Sequence, residues 1–124
     1  MSADIWTVED HLTGKPDDVV ALYQRFVALV GECGPFTYRV TKTAITLKGT
    51  RRGFAGAKPT QRSLDGYLDL QRQLQDPRIL RASPYTARLF VHQFRITIID
   101  QLDGDFQSWI REAYEVGAGA HMQN

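Results

Sequence analysis

The stretch over residues 42–70 constrains the fold most, because its side chains alternate between apolar and polar types and are divided by short turns. Such alternation is typical of strands that are buried on one face only. Ile45 and Leu47 therefore share the buried face of one strand. The Gly-Thr pair at 49–50 is short enough for a two-residue hairpin loop, which would place Ile45 opposite Phe54. We predict an antiparallel meander here.

Further strands extend this meander on both sides. A turn around residues 59–62 leads to a strand in which leucines face the core and Asp65, Tyr67 and Asp69 face the other way. The remaining strands are expected around residues 36–40 and over residues 88–99, where Phe90, Phe94, Ile96 and Ile98 share one side.

Helical patterns lie near both ends of the chain. A Thr-Val-Glu-Asp capping box opens a short helix near the N-terminus, and an apolar stripe of helical period follows it. A second amphipathic stripe, opened by Asp103 or Asp105, lies near the C-terminus. The expected helices cover residues 7–14, 16–34 and 103–117, with a further short helix near 77–81 that begins at an Asp-Pro pair.

Together these elements predict an α+β fold, in which an antiparallel meander sheet of about five strands is packed by N-terminal and C-terminal amphipathic helices. Residues 1–124 are expected to form a single domain, and residues 118–124 a flexible tail. The one cysteine, Cys33, falls on the apolar stripe of its helix and is interpreted as a quiet thiol in a reducing compartment. Since no apolar run approaches the roughly 18 residues of a membrane span and the start does not resemble a signal peptide, we expect a cytoplasmic protein with no membrane partner.

The formal net charge of +1 conceals a strong segregation of charge along the chain. Residues 1–32 carry two basic and six acidic side chains, residues 33–99 carry twelve and three, and residues 100–124 carry one and five. Such segregation can create a local positive potential, or it can reflect helices and sheet with opposite charges at their margins.

Six short motifs follow one another through nearly the whole chain. They are WTVEDH (6–11), KTAITLK (42–48), RRGFA (51–55), DPR (76–78), HQFRI (92–96) and WIREAY (109–114). In this order they resemble an uncharacterised bacterial family, the domain of unknown function 5655. The ending of a strand followed by a helix is more distantly similar to MmcQ/YjbR-like proteins. The resemblance implies a compact α+β fold and, loosely, contact with nucleic acid; it implies no catalytic residues.

The polar face of the meander is the first candidate site. It is predicted to bring cations and a tyrosine together around small residues, which allow close approach to the backbone. The cations and the tyrosine are Lys42, Lys48, Arg51, Arg52 and Tyr67, and the small residues include Ala44, Gly53, Ala55 and Ala57. A ligand with phosphate or carboxylate groups, a helix of this chain or a second subunit would each fit such a face, and an ordinary solvated surface would have the same composition.

His92 and Arg95 are the second candidate site. Because they lie three residues apart in a strand, regular alternation points them to opposite faces, with His92 on the apolar side. His92 is then a core or rim histidine with a satisfied hydrogen bond, and Arg95 extends the basic surface. Only a bulge would bring the two together as a catalytic pair.

Metal and cofactor sites find no support in the sequence. The three histidines are far apart, and neither glycine-rich nucleotide-binding motif occurs.

The leading hypothesis is therefore a non-enzymatic binding module without a cofactor, which uses the basic sheet surface to hold an anionic partner such as nucleic acid. The alternatives are a domain for protein interaction or homodimerisation, and a small enzyme that acts on a phosphorylated or carboxylated ligand through His92 and Arg95.

Overall fold

The computed structural model of the chain describes residues 5–86 and 88–122, and within these ranges the backbone forms one antiparallel sheet and three α-helices. The helices are α1 (Val8–Leu12), α2 (Asp17–Cys33) and α3 (Gly104–Gly117). The strands are β1 (Thr37–Val40), β2 (Ile45–Lys48), β3 (Gly53–Pro59), β4 (Leu64–Leu70), β5 (Ile79–Thr86) and β6 (Leu89–Ile96). Short 3-10 turns cover Ile99–Gln101 and Ala120–Met122. The predicted α+β class is confirmed, with six strands in place of about five.

The sheet has the order β1-β2-β3-β4-β6-β5, so β5 is an edge strand. The apolar residues of β2, β3, β4 and β6 point to one face, where they form a continuous core with α2 and α3. Phe94 of β6 contacts both Phe26 of α2 and Phe106 of α3, with ring centroids 5.5 and 5.2 Å away. Burial of these faces supplies most of the drive for the fold. No described helix packs on the other face of the sheet.

The predicted starts of α1 and α3 are confirmed, and a side chain caps each of them. The Thr7 hydroxyl accepts from the Asp10 N–H at 3.2 Å, and the Asp10 carboxylate accepts from the Thr7 N–H at 2.9 Å. Asp103 caps α3 by accepting from the Phe106 N–H at 3.0 Å. These bonds satisfy amides that have no partner within their own helix.

The predicted hairpin register of β2 and β3 is wrong. Ile45 lies opposite Ala57 and not opposite Phe54, and Leu47 lies opposite Ala55. The loop has four residues and is closed by a 2.9 Å bond from the Gly49 N–H to the Arg52 carbonyl. The pairing also shifts by one residue between Leu47 and Lys48, at the end of β2.

The end of α3 holds this loop in place. The N–H groups of Arg51 and Arg52 donate to the carbonyl of Gly117 at 2.8 and 3.2 Å. A side chain at Gly49 would come within 2.7 Å of the same carbonyl oxygen. The hairpin is therefore set by a helix end that is distant in sequence, which local patterning does not reveal.

The short helix expected near 77–81 is also wrong, because Ile79 begins β5. Asp76 and Pro77 instead belong to a turn, closed by a 2.9 Å bond from the Ile79 N–H to the Asp76 carbonyl. Pro84 is tolerated within β5 because an edge strand can leave positions without a ladder bond.

One further expectation differs in detail from the structure, and another, the flexibility of residues 118–124, stays a prediction. β6 ends at Ile96, so Ile98 lies beyond the strand and is 58% exposed instead of joining the apolar face. Residues 120–122 of the expected flexible tail form a 3-10 turn, and the Arg88 guanidinium donates to the His121 carbonyl at 3.2 Å. Residues 123–124 lie outside the described residues. Within the described ranges, no helix has the length and apolar character that crossing a membrane requires.

Candidate functional site

The sheet face opposite the helices, here called the open face, carries one continuous row of side-chain positions across all six strands. In order from β1 to β5 the row consists of Arg39, Thr46, Gly56, Tyr67, Gln93 and Arg81. Each position is a direct cross-strand neighbour of the next, so their side chains share one face of the sheet. An arginine thus stands at each end of the row and a tyrosine near its middle.

The tyrosine of this row lies flat on the backbone of the neighbouring strand. A Cβ atom at Gly56 would collide with the Tyr67 ring, coming 2.7 Å from its Cζ atom and 2.9 Å from its Cδ1 atom. The Tyr67 hydroxyl is 3.2 Å from the Thr46 hydroxyl and hydrogen-bonds to it. Burial raises the pKa of Tyr67, so its hydroxyl stays protonated at neutral pH. Gly56 is therefore required because the ring occupies the space of its side chain.

Two cations on or beside the open face are paired with carboxylates. Arg95 donates from Nε and Nη2 to the two oxygens of Asp65, each at 3.0 Å. Burial by itself would raise the pKa of the Asp65 carboxyl, but the hydrogen bonds from Arg95 and Ser63 lower it below its usual range. The other pair is Arg52 with Asp69.

Other cations of the open face make no ion pair within 4.0 Å to any residue in the described ranges. They are Arg39, Lys48, Lys58 and Arg81. Their positions follow from the register, since Lys48 adjoins Gly53 on the side of Thr46, and Lys58 lies opposite Asp65. None of the four is held by a carboxylate at ion-pair distance within the described ranges, although the charge of Lys58 helps to lower the pKa of Asp65.

A cavity of about 560 Å³ opens on this face beside the second ion pair. It is lined by Arg52, Gly53, Tyr67, Asp69, Tyr85 and Val91. The Arg52 guanidinium donates from Nη2 to Asp69 Oδ2 at 2.7 Å and from Nε to the Gly53 carbonyl at 2.8 Å. Its Cζ atom lies 5.6 Å from the centre of the Tyr85 ring, within the range of a cation–π contact. The guanidinium is thus fixed on one side by hydrogen bonds and covered on another by an aromatic ring.

Asp69 is the most unusual group of the cavity. Its side chain is only 5% exposed, and its Oδ1 atom is buried and accepts no hydrogen bond from the described residues. Burial raises its pKa to about 6, although the charge and hydrogen bond of Arg52 act in the opposite direction. Asp69 therefore has one oxygen without a partner in the described ranges, and its carboxyl group changes its protonation near pH 6.

A second concavity of about 530 Å³ lies near the β3–β4 turn, where Arg62 and Arg95 line it. Its hydroxyl groups bond within the turn: the Thr60 hydroxyl accepts from the Ser63 N–H at 2.9 Å, and the Ser63 hydroxyl donates to Asp65 at 2.8 Å. It offers no buried group without a partner comparable to Asp69 among the described residues.

The structure brings four of the candidate residues named from sequence together on or beside the open face, namely Lys48, Arg52, Tyr67 and Arg95. Lys42 instead lies in the turn between β1 and β2, because β2 begins only at Ile45. Arg51 lies in the loop that contacts the end of α3. The expected floor of small residues is wrong for Ala55 and Ala57, which are fully buried on the core face, whereas Gly53 lies on the open face beside Thr46.

His92 lies on the core face and is fully buried. Its Nε2 atom accepts from the Leu74 N–H at 2.9 Å, and its Nδ1 atom donates to the Phe90 carbonyl at 3.0 Å. Burial lowers its pKa, so the ring is neutral at neutral pH. β6 pairs regularly with β4 from residue 90 to residue 96, so no bulge turns His92 toward Arg95. The structure does not bring these two residues together.

Sequence reasoning did not select several residues of the open face. Asp69 was placed on the correct face by its alternation with Tyr67, but its burial without a second partner has no local signal. Tyr85 and Arg81 were missed because β5 was not predicted. Arg39 lies in a strand that was expected, and its parity with Val40 could have placed it.

Groups of three or more His, Cys, Asp or Glu side chains that could hold a metal do not occur within the described ranges. Cys33 is half-buried in α2, where its thiol lies 3.7 Å from the Leu29 carbonyl, and burial raises its pKa. A thiol with a raised pKa is a weak nucleophile.

The comparison with known proteins gives a family but no activity. The model of the family described as "Domain of unknown function (DUF5655)" matches residues 8–117. These residues include α1, all six strands and α3, and therefore the whole open face. No curated protein and no solved structure matches the chain.

Proposed function

We propose that the chain, which belongs to the DUF5655 family, is a non-enzymatic binding module that holds single-stranded nucleic acid on the open face of its sheet. The observation that carries this proposal is the row from Arg39 to Arg81, in which unpaired cations stand on both sides of Tyr67. Cations supply affinity for phosphates, and aromatic rings supply stacking platforms for bases.

The chemistry of the face favours a single strand over a duplex. Tyr85 is 63% exposed and Tyr67 is half-buried, so both rings can contact unpaired bases. Bases in a duplex are stacked on one another and cannot reach a flat sheet surface. At a spacing of about 4.8 Å between strands, Arg39 and Arg81 lie about 24 Å apart, which a strand of several nucleotides can bridge.

The distribution of charge also favours the open face, and not the helical side, as the surface that meets the phosphates. The helices on the opposite side carry exposed acidic residues, namely Asp17 and Asp18 of α2 and Asp105 and Glu115 of α3. These carboxylates repel phosphates, whereas Arg39, Lys48, Lys58 and Arg81 attract them. A chain with a net charge of only +1 therefore still presents one basic face.

The test is a fluorescence-anisotropy titration with labelled oligothymidine of about ten nucleotides, at about 50 and about 200 mM salt. We expect binding that weakens with salt. An Arg39→Gln/Arg81→Gln variant should bind about tenfold more weakly and lower the salt slope by about 1.4, since roughly 0.7 counterions per phosphate contact are released from a single strand.

The matched control is Arg25→Gln/Arg111→Gln, which removes two exposed arginines from the helical side. It changes the net charge equally and should leave affinity nearly unchanged. Absence of binding at low salt, or equal losses in the two variants, would overturn the proposal. Light scattering on the same samples tests the interaction-domain alternative, because a dimer that buries the open face would also prevent binding.

A further inference from the structure

The cavity beside Asp69 holds a donor and an acceptor that the fold itself does not use. Asp69 Oδ1 is buried and accepts no hydrogen bond from the described residues, while its Oδ2 is bonded to Arg52. Arg52 donates from Nε and Nη2, and its Nη1 atom makes no hydrogen bond within the described ranges. A buried acceptor without a partner is costly, so such groups in native proteins usually have a functional or structural reason.

The walls of the cavity suit a planar ring. Tyr85 is exposed on one side, Tyr67 lies on the other side over Gly56, and Val91 contributes apolar surface. A volume of about 560 Å³ lies within the usual range for small-molecule pockets and admits a heteroaromatic ring with a sugar attached. Tyrosine side chains lose little conformational entropy when they hold such a ring.

We propose that this cavity receives one nucleobase. Because Asp69 Oδ1 is buried in the unbound protein, the carboxylate turns about its Cβ–Cγ bond on binding and accepts from a ring N–H or amino group of the base, while Arg52 Nη1 donates to the neighbouring acceptor of the base and Tyr85 stacks on the ring. This inference rests on the proposed function, because it names the pocket that captures a base of the bound strand. Every common nucleobase presents a donor beside an acceptor on its Watson–Crick edge. The pocket therefore selects bases as a class and tolerates different sequences.

The experiment compares labelled oligothymidine with an abasic strand of the same length and phosphate number. If the pocket holds a base, the wild-type protein binds oligothymidine about tenfold more tightly than the abasic strand, since stacking of one base has about that effect. In Asp69→Asn the side-chain carbonyl can keep the bond to Arg52, so the amide group turns a donor toward the base. The preference for oligothymidine should then fall to about one, while abasic binding stays equal or improves because a negative charge is removed.

Asp65→Asn is the matched control. It removes the same charge from the same face, but Asp65 does not line the cavity. It should raise the affinity for both strands alike and keep their ratio. Tyr85→Ala provides a second variant that avoids folding defects, because Tyr85 is 63% exposed, and it should also reduce the ratio to near one.

The outcomes separate this inference from the proposed function. If both strands bind with normal salt dependence but with equal affinity, the pocket inference is wrong and the binding module stands. If neither strand binds, yet thymidine monophosphate binds to the wild type and not to Asp69→Asn, the pocket is supported as a site for free nucleotides and the proposed function is overturned. If Asp69→Asn and Asp65→Asn change the ratio equally, the inference is overturned.

Discussion

Arg52 and Asp69 form a 2.7 Å ion pair that joins the start of β3 to the end of β4, with the carboxylate almost buried and the arginine side chain 30% exposed. The pair does not compensate fully for the burial of Asp69, because one oxygen keeps no partner among the described residues and the pKa remains raised to about 6. A buried pair of this kind is weak support for stability, whereas the proposed binding of a base would give its free oxygen a partner.

We expect Asp69→Asn to stabilise the protein at neutral pH. The pKa of Asp69 is about 6 in the folded state and about 3.9 in the unfolded state, so between these values the folded protein binds more protons. Stability therefore falls as pH rises from about 4 to about 6, and the cost of the ionised carboxylate is fully present above that window. Asparagine removes this cost, which is about 1–3 kcal/mol.

Urea unfolding of the wild type and Asp69→Asn at several pH values measures this difference. The gain should be present at about pH 7.5 and absent at about pH 4, where the wild-type carboxyl is protonated. Asp65→Asn is a control with the opposite expected sign. The pKa of Asp65 is lowered, so its ionised form stabilises the fold and its removal should destabilise the protein at neutral pH. A gain from Asp69→Asn that is the same at both pH values would contradict the assignment.

Removing Arg52, the partner of Asp69, should destabilise the protein. Arg52→Ala leaves Asp69 buried without its cation, and we expect a loss of about 2 kcal/mol at neutral pH, below the ~3–5 kcal/mol found for fully buried pairs because Arg52 is partly exposed. The loss should shrink as pH falls and Asp69 takes up a proton. In the double variant Arg52→Ala/Asp69→Asn most of it should be recovered, and a purely additive cycle would show that the pair is not coupled.

His92→Ala should destabilise the protein by about 2–4 kcal/mol, since it creates a cavity and leaves the Leu74 N–H without its acceptor. The pKa of His92 is lowered by burial, so the unfolded state takes up a proton first as pH falls below about 6.5 and stability is lost there. Thermal melts at about pH 7.5 and about pH 5.5 should show this loss in the wild type and a smaller one in the variant. An unchanged melting temperature in His92→Ala would contradict a structural role.

Gly56→Ala should destabilise the sheet by about 1–3 kcal/mol, because the new methyl group occupies the place of the Tyr67 ring. Gly31 offers a matched control, since it lies within α2 and a Cβ there would meet nothing within 4 Å. Gly31→Ala should stabilise by about 0.5–1 kcal/mol through helix propensity. Chemical denaturation of both variants tests the opposite signs, and a neutral Gly56→Ala would show that Tyr67 moves away freely.

Arg78 is expected to stabilise the fold through the planar shape of its guanidinium as well as through its charge. It donates to Asp76 at 2.8 Å, to the Gln101 carbonyl at 2.7 Å and to Asp103 at 2.9 Å, and its Cζ lies 4.6 Å from the centre of a Trp109 ring. Lysine cannot reproduce this fork and the stacking together. Arg78→Lys should therefore lose about 2 kcal/mol of stability and change the tryptophan fluorescence, whereas Arg62→Lys, at an exposed loop position, should change neither.

Local chemistry accounts for the parts of the fold that the sequence predicts correctly. The alternation of β4 placed Asp65, Tyr67 and Asp69 on one face, since the period of two leaves no other arrangement. The capping residues Thr7 and Asp103 gave two helix starts, because their side chains bond amides only three residues away. The alternation of a strand likewise assigned His92 and Arg95, three residues apart, to opposite faces of β6.

The remaining features depend on contacts between distant segments. The register of β3 follows from the bonds of Arg51 and Arg52 to the carbonyl of Gly117, and β5 is a strand because β6 offers it an edge. These interactions join segments that are separate along the chain, so no local pattern reports them.

The sequence by itself determined the capped starts of α1 and α3, the faces of the β4 residues and the basic character of the middle of the chain, because these depend on neighbours within a few positions. Only the tertiary structure decided that Arg39 and Arg81 end one row, and that Asp69 lies buried with a single partner. The burial and partners of a side chain depend on which distant strands and helices surround it, and that is set by the packing of the whole sheet.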